Sequence, residues 1–162
     1  MTRLKRYTLV IIDMQPRFDS AYGNRPLIKK IRQEIARAIE LSNHIMFVWL
    51  TCSGKITPAL KAAVRGYSSV SYVPKTSQDG GTEVLEALPR KTHIRFCGVN
   101  TNQCVQDTVL TVAKDYARNN YAGGRLKIEV IANGCASFFD SNHDAGLRIM
   151  NAQSNIKIDR AA

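Results

Sequence analysis

Residues 92–113, THIRFCGVNTNQCVQDTVLTVA, join an apolar run to a helical one through a short polar turn. Thr92–Cys97 has the apolar character of a buried strand. From Asn102 onward, Val105, Val109, Val112, Ala113 and Tyr116 fall on one helical face. Asn119, Asn120, Gly123 and Gly124 then supply the residues that end helices. A strand that feeds directly into a helix is the repeating unit of a parallel sheet.

The same alternation extends in both directions. Upstream, Tyr7–Ile12 (YTLVII) is a short β-branched run that closes on Asp13. Pro26 stands at a favoured first helical position, and Leu27, Ile28, Ile31, Ile35 and Ile39 follow at helical spacing, which predicts an amphipathic helix over 26–41. Residues 45–51 (IMFVWLT) read as a second strand, 58–64 as a short helix, 70–73 as a short strand, and 80–88 as a helix stopped by Pro89. Downstream come a strand over 127–131, a helix over 141–151 and a last short strand over 155–158. Six strands alternating with helices predict a three-layer α/β/α, Rossmann-like domain over 1–162, with a central, mostly parallel sheet covered on both faces. Repeats, low-complexity segments and linkers are not expected. In such sheets ligands bind at the carboxyl ends of strands, which directs attention to Asp13, to the loop around Lys75 and to the 98–104 turn.

Composition narrows the class. The 162 residues are 44% hydrophobic, enough for an ordinary core. Cys52, Cys97, Cys104 and Cys135 show neither C-x-x-C nor any zinc spacing, and read as free thiols in a reducing compartment. The basic, then apolar, start is interrupted by Asp13 before it could serve as a signal peptide, and no run reaches membrane-spanning length, so a cytoplasmic protein is expected. The net charge of +10 is spread along the chain without an arginine-rich tail or an aromatic-interleaved patch. It reads as a solvated surface and not as a nucleic-acid site.

Three residues stand out chemically. Asp13 closes a buried strand, where burial would raise its pKa and make it a proton acceptor, unless it serves only as a loop cap or ion-pair partner. Cys104, in the first turn of its helix, would lie beside free backbone N–H groups that favour a thiolate and could hold an oxyanion; otherwise it is a small packed hydrophobe, as Cys97 and Cys135 are read. Lys75, after Val73-Pro74, could orient the carboxylate or stabilise the thiolate, or lie on the surface. His44, His93 and His143 read as structural or surface histidines.

Together these segments resemble the isochorismatase-like cysteine hydrolase superfamily, which includes nicotinamidases and N-carbamoylsarcosine amidases. The resemblance is carried by LVIIDMQPRF (Leu9–Phe18), VPKTSQDGGTEVLEAL (Val73–Leu88) and CGVNTNQCVQDTVLTVA (Cys97–Ala113), with a weaker match in ANGCASFFDSNHDAGLRIM (Ala132–Met150). It implies Asp13 as general base, Lys75 as its partner and Cys104 as nucleophile. It also implies a cis peptide between Val99 and Asn100, and an oxyanion hole from the backbone N–H groups of Asn100 and Cys104. Gln15, Phe18 and Trp49 are candidate pocket residues, with Phe18 and, no less readily, Trp49 open to being core residues instead.

Nicotinamidases carry an Asp and His metal set after the second strand. TCSGKITPALK (Thr51–Lys61) has neither residue type, so no catalytic metal and no cofactor are expected. Asp79, Gly80 and Gly81 after Lys75 suggest a more open and more polar pocket wall than the Ser-Ala-Phe often found there. The resemblance implies a metal-independent hydrolase acting on a small amide, imide or carbamoyl compound through an acyl-enzyme, assembled as a dimer or tetramer. The alternative is a non-catalytic ligand-binding or interaction protein on the same fold.

Overall fold

The computed structural model describes residues 6–161. Its sheet has six strands, all parallel: β1 (Tyr7–Ile12), β2 (His44–Leu50), β3 (Val70–Lys75), β4 (His93–Val99), β5 (Ile128–Ala136) and β6 (Ile156–Asp159), in the order β3-β2-β1-β4-β5-β6. The helices are α1 (Arg25–Glu40), α2 (Pro58–Ala63), α3 (Gly81–Ala87), α4 (Gln106–Asn119) and α5 (Asp140–Asn151). From β1 the chain moves outward to β3, and the first two crossovers lay α1 and α2 together on one face. The connection from β3 to β4 crosses back, which puts α3, α4 and α5 on the other face, as uniformly right-handed crossovers require. Strand order reverses between β1 and β4. The crevice at their carboxyl ends is the place where such folds bind ligands.

Local chemistry explains the elements. Asn24 caps α1 by accepting from the Leu27 N–H at 3.2 Å, and the helix buries Leu27, Ile31, Ile35 and Ala38 against the sheet. All six residues of β1 are buried, as a central parallel strand covered on both faces demands. Pro74 sits in β3, which is an edge strand, so its missing N–H costs no ladder bond in the middle of the sheet. β3 therefore runs through the proline to Lys75, two residues past the end expected at Val73.

β5 is also longer than expected, because its register against β4 jumps from Phe96↔Val130 to Gly98↔Cys135. The extra residues bulge out, and pairing resumes beyond them. Gly98 has φ of +125°, and a Cβ there would collide with the Ile12 carbonyl oxygen. Only glycine lets β4 pass β1 this closely on its way into the turn.

Candidate functional site

β1 ends at Asp13, whose φ of +49° places it in the left-handed region that Asp tolerates better than most residues. Its backbone N–H donates to Val48 O at 2.9 Å, and its side chain is buried. Lys75 comes in from the far end of β3. Its Nζ lies 2.9 Å from Asp13 Oδ2, with both side chains at 1% exposure or less. The ammonium donates to the carbonyls of Ser77 at 2.8 Å and Gln78 at 3.2 Å, which leaves one proton for the carboxylate. Gly80 gives the lysine stem its passage, since a Cβ there would stand 2.7 Å from Lys75 Cδ.

β4 ends in a cis peptide between Val99 and Asn100. A wide turn over Thr101–Val105 follows, in which Gln103 departs from helical geometry, and regular α4 begins only at Gln106. Cys104 therefore sits in this turn, not in the first regular turn of the helix as the spacing suggested. Its thiol is within hydrogen-bonding reach of the Asp13 carboxylate and beside the Lys75 ammonium. The Asp13 carboxyl group thus meets the Lys75 ammonium on one side and the thiol on the other.

The electrostatics depart from a preformed thiolate. Burial, followed by the Asp13 charge and hydrogen bond, pushes the Cys104 thiol up to about 12, against the opposing pull of Lys75. Burial also raises Asp13, with the Cys104 hydrogen bond and the Lys75 charge counteracting it. At neutral pH the resting sulfur is a thiol, and it faces the Asp13 carboxyl group. Cys104 keeps 7% of its surface open, whereas Cys97 is sealed at 0%. All four cysteines are free.

Of the expected pocket residues, Phe18 is partly buried against the core. Gln15 is completely buried: its amide donates to Leu50 O at 3.0 Å and Gly54 O at 2.7 Å, and accepts from Leu50 N at 2.9 Å. It braces the strand-end loops from behind instead of lining a pocket. Trp49 is partly buried against the core, the other role open to it. Leu50 is the register partner of Lys75 and Trp49 that of Pro74, so strand alternation turns the indole to the sheet face opposite Lys75. Asp79 does not open the wall either. Its carboxylate accepts from Gly81 N at 2.7 Å and from Thr111 Oγ1 at 2.6 Å, which ties α3 to α4.

Other residues that hold the site gave no sequence signal. Ser20 Oγ donates to Asn100 Oδ1, and Gly80 N donates to Thr108 Oγ1 at 2.9 Å. His143, expected to be structural or at the surface, lies 2.7 Å from Thr101 Oγ1 through Nδ1. Gly146 lets α5 reach the Thr101–Val105 turn, because a Cβ there would meet Thr101 O at 2.8 Å.

The isochorismatase domain model matches residues 7–162. The chain belongs to the isochorismatase family. Its fold is similar to the nicotinamidase of Staphylococcus aureus, with a TM-score of 0.77 at 18% identity, covering 99% of this chain and 100% of that one. The MAR1 ribonuclease of Caenorhabditis elegans gives 0.78 at 16% identity, covering 96% of this chain and 78% of that one. The nicotinamidase/pyrazinamidase of Bacillus subtilis gives 0.75 at 16% identity, covering 97% and 100%. No curated protein sequence matches the chain.

Within this isochorismatase-family chain, no three His, Cys, Asp or Glu side chains among the described residues group in a way that could hold a metal. The segment Thr51–Lys61, where the resemblance places the nicotinamidase ligands, holds no Asp, Glu or His and one thiol, Cys52. Those residues do not fit a catalytic metal. Among the described residues, no helix is long and apolar enough to cross a membrane.

Proposed function

We propose that this protein is a cysteine hydrolase that cleaves the carbon–nitrogen bond of a small amide, imide or carbamoyl compound without a metal. The observation that carries the reading is the buried Asp13–Lys75 pair at 2.9 Å with the Cys104 thiol beside it. A buried carboxylate with a raised pKa, set against a thiol, suits general-base work better than a structural ion pair.

Asp13 takes the thiol proton as sulfur attacks the substrate carbonyl carbon. The Lys75 ammonium offsets the negative charge that this transfer moves about the site. The backbone N–H groups of Asn100 and Cys104 receive the oxyanion. Collapse breaks the carbon–nitrogen bond, and the amine leaves with the proton from Asp13. Water then adds to the thioester while Asp13 accepts its proton, and the acid departs as the thiol is restored. A dimer or tetramer is part of the same reading and is checked by light scattering.

The test is a screen of small amides, imides and carbamoyl compounds for ammonia release, with Cys104→Ala as control. Turnover by the wild type and none by the folded variant is the expected result. Full turnover by Cys104→Ala on the same compound would remove the mechanism. Absence of turnover across the screen would favour a ligand-binding protein on this fold.

A further inference from the structure

On the sheet face opposite Lys75, to which Trp49 and Tyr72 alternate, lies a cavity of about 360 Å³, lined by Trp49, Thr51, Gly54, Lys55, Ile56, Lys61 and Tyr72. We propose that it is a second binding site, for a single-ring aromatic compound carrying an anionic group. The volume is at the small end of the range for ligand pockets. Trp49 and Tyr72 present aromatic surface. Tyr72 is braced on its inner side by Phe47, with ring centroids 5.4 Å apart and planes 10° from parallel, yet it remains 46% exposed. Gly54 faces open space, since a Cβ there would meet nothing within 4 Å.

Charge selects the ligand's sign. The lining holds two lysines and no acid. Lys61 Nζ stands 5.7 Å from the Tyr72 ring centroid, and neither Lys55 nor Lys61 has a carboxylate partner among the described residues. Two unpaired ammonium groups beside aromatic walls are complementary to a planar anion. Ser53 and the surrounding loop cannot easily collapse into the space, because the loop is pinned from its other side. Gln15 holds Leu50 and Gly54, Arg17 Nη1 donates to Cys52 O at 3.0 Å, and Thr57 donates through N and Oγ1 to Met14 O, each at 2.8 Å. The cavity wall is thus back to back with the segment that carries Asp13.

Trp49 is the only tryptophan in the chain, so its fluorescence reports this cavity directly. The experiment titrates the full chain with benzoate and phenyl phosphate, with benzyl alcohol as the neutral comparison. The expected result is saturable quenching by the anions, weaker binding of benzyl alcohol, and loss of affinity of about three- to tenfold in Lys61→Met and Lys55→Met. Tyr72→Ala should lose saturation. Cys104→Met, whose longer side chain occupies the reacting position, should titrate as the wild type does. Linear quenching without saturation, equal response to benzyl alcohol, or indifference to both lysine variants would overturn the site. Loss of binding in Cys104→Met would place the ligand in the catalytic chamber and also overturn it. The readout needs no turnover, so it stands or falls separately from the hydrolase reading.

Discussion

Two clusters of buried charge lie in this protein, and they are built to opposite ends. On the α1 face, Arg95 is 2% exposed and spends its guanidinium on three carboxylates. Nε reaches Glu129 Oε2 at 3.2 Å, Nη2 reaches Asp159 Oδ2 at 2.7 Å, and Nη1 reaches Glu34 Oε2. Lys30 adds a contact to Glu34 at 2.8 Å and Lys157 one to Glu129 at 3.0 Å, so three cations meet three acids. Burial alone would raise Glu34, but the hydrogen bond from Lys30 and the charge of Arg95 outweigh it and hold the carboxyl below its ordinary value. At the carboxyl edge, burial raises both Asp13 and Cys104, which face each other beside the Lys75 cation. One cluster stabilises its ionised forms and the other leaves a proton in play. In this protein the direction of the pKa shift is what separates the two clusters.

The largest expected effect is on chemistry. Asp13→Asn should lower turnover of an identified substrate by at least about 10²–10⁴-fold, the usual worth of a general base, while Arg95→Met should leave the rate per folded molecule unchanged. Steady-state kinetics on both variants checks this. A comparable loss of rate in Arg95→Met would merge the two clusters into one functional unit.

Stability should show the reverse ranking. Arg95→Met removes the cation shared by three carboxylates, leaving Glu34 with Lys30 and Glu129 with Lys157, and should cost about 3–5 kcal/mol in urea unfolding. The pair Asp13→Asn with Lys75→Met removes both buried charges together, and should lie within about 1–2 kcal/mol of the wild type or above it. If the double variant fell as far as Arg95→Met, Asp13 and Lys75 would be a structural ion pair like their counterpart.

Gly80→Ala sharpens the geometry. The added methyl would press on Lys75 Cδ from 2.7 Å and should cost about 1–3 kcal/mol, with turnover reduced because the ammonium shifts from Asp13. An alanine variant with full activity would show that the lysine's placement tolerates more than the packing implies.

The smallest effect is on the pH dependence of stability, where the two clusters carry opposite signs. Folded Asp13 keeps its proton at pH values where the unfolded chain has lost it. The native state then binds more protons, so this contribution falls as pH rises from about 4 through the raised pKa. Glu34 is the reverse: its contribution is fully present above the unfolded value of about 4.3 and is lost as pH falls through its lowered folded pKa. Urea unfolding from pH 3 to 7 should therefore lose its falling component in Asp13→Asn and its rising component in Glu34→Gln.

The sheet and the order of its elements were legible because buried parallel strands and amphipathic helices have different hydrophobic periods. The ends were harder to read. Pro74 looked like a stop, but an edge strand accepts it; the β5 bulge has no periodic signature. Asp13, Lys75 and Cys104 stood out as chemistry-bearing residues at strand and helix ends, and the family resemblance grouped them. Their protonation states were not legible, because burial is a tertiary property and outweighs the helix-end field expected to lower the thiol. The roles of Gln15 and Trp49 depended on which groups and which sheet face each side chain meets. Ser20, Thr108 and His143 are separated from their partners by 80, 28 and 42 positions, and no local pattern announces such contacts.

The most direct measurement of the central claim, that Asp13 is the proton acceptor for a resting Cys104 thiol, is site-resolved alkylation. Iodoacetamide labelling of each cysteine is followed by mass spectrometry from pH 6 to 11, with exposed Cys52 as the internal rate reference. The wild type should label Cys104 far more slowly than Cys52 at pH 7–8. Asp13→Asn should speed Cys104 labelling, because the carboxylate charge no longer opposes the thiolate while Lys75 still favours it. Rapid labelling of Cys104 at pH 7, unchanged by Asp13→Asn, would contradict the account.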